Sequence, residues 1–236
     1  MSLHPRVAVY PCPRVPVSRA LALSTRDSFD TLSLLVERSM DLALSLGKTN
    51  SQTRLSDAYV IKATRLWVER VVVGLNLCPF ARRELETDRV RFAVTGAESE
   101  EALLADLHHE IELLLADLEM ETTLLIHPRA LENFIDYNLF LDTANRLLQE
   151  LDLEGELQIA SFHPDYCFAD AEPEAGENFT NRSPFPMLHL LREESVSRAV
   201  ESHPDVDGIP ARNVRLLNDM GAQQLATLRE ACTQDA

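Results

Sequence analysis

The chain has 236 residues and a mass of 26.5 kDa, room for one medium domain with a sizeable core, or for one domain plus an appendage. Its 38 acidic side chains outnumber 22 basic ones, and the formal charge of -16 opposes phosphate backbones, so nucleic acid is not an expected partner. Cys12, Cys78, Cys167 and Cys232 are too scattered for a stapled secreted scaffold or a metal knuckle, and no apolar run reaches the ~20 residues of a membrane helix, so a reduced, cytoplasmic protein without a membrane partner is expected.

Residues 1–57 read as an N-terminal extension and 58–236 as a single α/β domain. The extension starts without acidic residues, is punctuated by Pro5, Pro11, Pro13 and Pro16, and is expected to be partly disordered. A targeting peptide, a disordered tail and an upstream start codon all fit its first 27 residues. A helix over 28–47 then stops at Gly47, and 48–57 reads as a linker.

Asp57 suits the cap of the next helix, whose Ala58, Ile61, Trp67, Val71 and Val72 form an apolar stripe. It runs into Asn76-Leu77-Cys78-Pro79-Phe80. VRFAVT (90–95) is β-rich. Ser99 caps a helix whose leucines recur at spacings of three and four. TTLLIHP (122–128) reads as a strand closed by proline, FIDYNLFLDTANRLLQEL as a helix, and ELQIASFHP after Gly155 as a third strand. Strands alternating with helices predict a small three-stranded parallel sheet with flanking helices and a helical C-terminal part. Beyond a polar loop, Ser183 and Pro184 open a predicted helix over PMLHLLREESVSRAVESH, and a last helix is expected from about 213 to 232.

His127 and His163 fall just past the carboxyl ends of neighbouring strands, the edge where open α/β sheets take ligands; an X-His-Pro string also simply ends a strand. With 186–203 as a helix, His189 and Arg192 share a face, and Arg182 joins the first-turn amides in an anion-binding corner. The alternative pairs these arginines with the abundant carboxylates. Cys78 is either an inert packed thiol or a nucleophile activated by His163 or His189. Cys78, His163, Cys167 and His189 can be imagined around zinc, but no linear signature supports it, and neither metal nor cofactor is expected.

The strings NLCPFA (76–81), TTLLIHP (122–128), FIDYNLFLD (134–142), ASFHPDYCFA (160–169) and NRSPFPMLHLLREESV (181–196) together resemble the DUF1415 family of uncharacterised, mostly bacterial proteins. The resemblance covers roughly residues 58–220 and implies no activity. Cys78, His163, Asn181, Arg182, His189 and Arg192 fit its pattern; Cys167 stands where similar proteins carry glutamine.

The expectation is therefore an enzyme acting on a small anionic substrate, with Asn181, Arg182 and Arg192 binding it, His163 or His189 moving a proton, and Cys78 as a conditional nucleophile. The alternative is a non-catalytic ligand-binding or protein-interaction domain. Convergence of His163 and His189 within about 8 Å is the geometric consequence of the first reading.

Overall fold

A computed structural model describes residues 55–236, so the expected disordered start and the helix at 28–47 lie outside the described residues. Asp57 occupies the first turn of α1 (Asp57–Trp67), which continues as a π-helical stretch over Val68–Val73. The short α2 (Ala81–Glu86) precedes β1 (Val90–Val94). Ser99 caps α3 (Glu100–Ala116) by accepting from the Ala102 amide, and β2 (Thr122–Ile126) follows. Asn133 caps α4 (Phe134–Glu150) by accepting from the Ile135 and Asp136 amides, and β3 is Leu157–Phe162.

These elements follow the expected strand–helix order, but the sheet does not. It has four strands in the order β1-β2-β4-β3, and the fourth, β4 (Met187–Arg192), runs antiparallel between β2 and β3. Only β1 and β2 pair in parallel. The three-stranded parallel sheet is thus corrected to a mixed one, and the predicted helix over 186–203 begins as a strand. Only its acidic second half, α5 (Glu193–Ser202), is helical.

The cause lies in Met187-Leu188-His189-Leu190-Leu191. A central strand covered on both sides has no polar alternation, so its apolar run fits a helix as well as a strand. Leu188 and Leu190 enter one core and Met187 the other, and all three are fully buried. Pro184 and Pro186 serve as entry to a strand rather than as the first turn of a helix, and Ser183 donates its hydroxyl to the Phe185 carbonyl at 2.6 Å instead of capping.

The last expected helix is two, α6 (Gly208–Met220) and α7 (Ala222–Gln234). Gly221 divides them with φ 79°, a left-handed backbone that no helix interior accepts.

Side-chain alternation gives the sheet two apolar faces. On one, Leu125, Leu188 and Leu190 pack against Leu107 and Ile111 of α3 and Phe140 and Ala144 of α4. On the other, Leu124, Ile126 and Met187 meet Val60 and Trp67 of α1, Leu217 of α6 and Leu225 of α7. Each such buried leucine contributes about 2 kcal/mol, so both layers are needed to hold β4 in place. Among the described residues no helix is long and apolar enough to cross a membrane.

Candidate functional site

At the carboxyl ends of β2 and β3 the incoming segment before β4 continues the pairing. His127 donates its amide to the Pro186 carbonyl at 3.0 Å, and His163 donates its own to Asn181 at 3.2 Å. Tyr137 of α4 inserts its hydroxyl here, accepting from the Phe162 amide and donating to the Met187 carbonyl, both at 2.9 Å. The two histidine rings lie on either side of this anchor in the chain, with centroids 5.8 Å (His127) and 5.1 Å (His163) from the Tyr137 ring.

Both imidazoles hold the turn between β2 and α4. His127 lies 2.8 Å from the Ala130 carbonyl through Nδ1, and His163 lies 3.2 Å from the Leu131 carbonyl through Nε2. A carbonyl accepts only, so each of these nitrogens carries the proton. His163 Nδ1 accepts from the Asp165 amide at 3.0 Å, which leaves that ring with no free nitrogen. The turn they secure includes Leu131 at φ 56°, a conformation costly for a branched side chain. Burial lowers the pKa of both, that of His127 to about 4, so they are neutral around pH 7. His127 Nε2 is buried without a hydrogen-bond partner.

His189 belongs to another place. In β4 it alternates with Leu188 and Leu190 and so points to the face of α1, whereas His163 packs against Phe134 and Tyr137 of α4. The expected convergence of His163 with His189 does not occur: the strand pleat puts them on opposite faces of the sheet. His189 Nε2 lies 2.6 Å from the Thr122 hydroxyl, which itself donates to the Leu190 carbonyl, so the imidazole is the donor. Burial lowers its pKa to about 4.

Cys78 follows the π-helical stretch, in the turn that α6 fastens through Asn213 to the Leu77 carbonyl at 2.8 Å and through Arg212 to that of Asn76. Burial pushes its thiol pKa up despite the Phe80 and Ala81 amides, the reverse of an activated nucleophile. No described hydrogen bond or ring contact joins it to His163 or His189. Cys167 directs its thiol to the Phe168 and Ala171 carbonyls, and among the described residues no group of three or more His, Cys, Asp or Glu could hold a metal ion.

The binding trio also separates. Asn181 donates its side-chain amide to the Ser161 carbonyl at 2.9 Å, binding loop to strand. Arg192 lies at the far end of β4, where it donates to the carbonyls of Leu114, Asp117 and Met120 and closes the C-terminus of α3. The six residues of β4 span about 20 Å, so Arg182 and Arg192 form no common anion corner.

Arg182 has a different partner, which the sequence reading missed. Its guanidinium carbon lies 4.9 Å from the Phe179 ring centroid, and that of Arg229, from α7, lies 5.8 Å from the same ring. Arg182 donates to the Tyr166 and Pro173 carbonyls, each at 2.8 Å, and Arg229 donates to Pro164 at 2.6 Å. Among the described residues neither has a carboxylate within 4.0 Å. Burial, and then the Arg182 charge, lower the pKa of Arg229. One signal was available in the sequence: Arg229 stands four residues after Leu225 and three before Cys232, on the stripe that packs inward.

A family model described as a protein of unknown function, DUF1415, matches residues 59–227. No curated protein matches the chain, and no solved structure does.

Proposed function

The chain belongs to the DUF1415 family, and we propose that its domain binds a small anion, without turning it over, between Arg182 and Arg229. The observation that supports this reading is the pair of half-buried guanidiniums sharing the Phe179 ring with no carboxylate partner, in a chain where acids are in excess. Two cations brought together repel each other, and an anion between them relieves that repulsion while using their remaining N–H donors. Binding rather than catalysis is favoured by the engagement of His163 at both nitrogens, by the remoteness of His189 and by the protonated Cys78. The setting proposed is cytoplasmic, with a free small molecule rather than nucleic acid or a lipid surface as partner.

Isothermal titration of the full chain with inorganic phosphate and with acetate tests the reading. Saturable heat with a Kd of about 1 mM or tighter is expected for the natural protein, with at least a tenfold loss in Arg229→Gln, which removes the charge and keeps a polar side chain. Equal heats in the two proteins, or none that saturate, would overturn it.

A further inference from the structure

The surroundings of the two arginines are strongly acidic, and this bears on which anion they accept. Arg182 holds the carbonyl of Pro173, which lies between Glu172 and Glu174; Arg229 holds that of Pro164, which precedes Asp165. Asp170 lies on the same loop. All four carboxylates are exposed, and none has a cationic partner within 4.0 Å among the described residues. Asp165, together with Glu230 next to Arg229 in the chain, acts on the Arg229 charge.

We propose, resting on the anion-binding reading above, that the Arg182 and Arg229 site selects singly charged carboxylates over doubly charged phosphates. The first negative charge of a ligand is met by two guanidiniums that share one aromatic ring and act on each other's charge. A second is met by no further cation and lies in the field of the loop carboxylates, which outnumber the arginines.

The test uses the full chain and two probes, acetate and inorganic phosphate, each titrated on the acid and the alkaline side of the second phosphate ionisation, close to neutral pH. Acetate should bind equally on both sides, while phosphate should bind about tenfold more weakly on the alkaline side. In the double variant Glu172→Gln, Glu174→Gln the alkaline phosphate affinity should recover several-fold, and by more than the affinity for acetate rises, because the doubly charged ligand feels the lost carboxylates twice as strongly. Phosphate binding that is equal or tighter on the alkaline side overturns the selectivity and leaves anion binding standing. Absence of saturable heat with either probe on either side overturns both.

Discussion

Two histidines in like sequence settings, each followed by proline at a strand exit, turn out to secure the carbonyls of consecutive residues, Ala130 and Leu131. Their neutrality is part of that role, and it makes the fold sensitive to acid. His127 keeps a folded pKa of about 4 against 6.5 for the free side chain, so between these values the unfolded chain binds the extra proton. Its contribution is therefore complete above about pH 6.5 and is lost as the pH falls toward 4, up to about 3 kcal/mol. His127→Asn keeps a donor near the Ala130 carbonyl and removes the titration. Urea midpoints measured at steps from about pH 7 to about pH 4.5 should fall less steeply for this variant than for the natural protein, even though its stability at neutral pH is lower. Parallel slopes would show that His127 takes up its proton equally in both states. At this scale the sequence showed where both His-Pro strings lie but not which nitrogen meets which carbonyl, because that depends on a turn with Leu131 in an unfavourable backbone region.

Helix ends explain much of what was readable and what was not at the level of elements. Asn76, Asp88 and Asp152 all have φ between 55° and 58°, and each closes a helix where glycine is the commoner choice. After α4, the Asp152 amide donates to Gln149 and the Leu153 amide to Leu148, the paired bonds of a Schellman closure. Without a glycine to mark them, such ends leave only the loss of period as a signal. Asp152 is exposed and its carboxylate makes no described bond, so Asp152→Gly should raise stability by about 0.5–1 kcal/mol, read as a higher denaturation midpoint at unchanged m-value. A lower midpoint would show that unfolded-chain entropy outweighs the strain. The helices α3 and α4 were legible because their apolar residues face one side of the sheet, and β1, β2 and β3 because a turn or proline bounds each. Strand β4 was not, because both of its faces are covered, and misreading it moved His189 and Arg192 onto an imagined helix face with Arg182.

For the molecule as a whole, charge dominates what remains open. Residues 61–236 carry 33 of the acidic and 15 of the basic side chains, so the folded part works against its own repulsion. Some of that charge is matched locally. Arg91 forms a two-pronged pair with Glu110 at 2.7 and 3.0 Å, and Arg89 joins Glu84 and the mostly buried Glu121. Close, partly buried pairs of this kind are screened little by salt, whereas repulsion among exposed carboxylates acts over distances that salt shortens. Raising sodium chloride from about 10 to about 150 mM cuts the screening length from roughly 30 to roughly 8 Å. The repulsive term should shrink by more than the attractive one, and a gain of about 1 kcal/mol corresponds to a melting temperature higher by about 2–4 °C in a protein of this size. Arg229→Gln should show the same rise, since it leaves the overall excess of acid in place, and this separates general screening from chloride binding at the arginine pair. A melting temperature that falls with salt would mean that the Arg89 and Arg91 networks outweigh the net charge; a rise confined to the natural protein would assign the effect to the anion site instead.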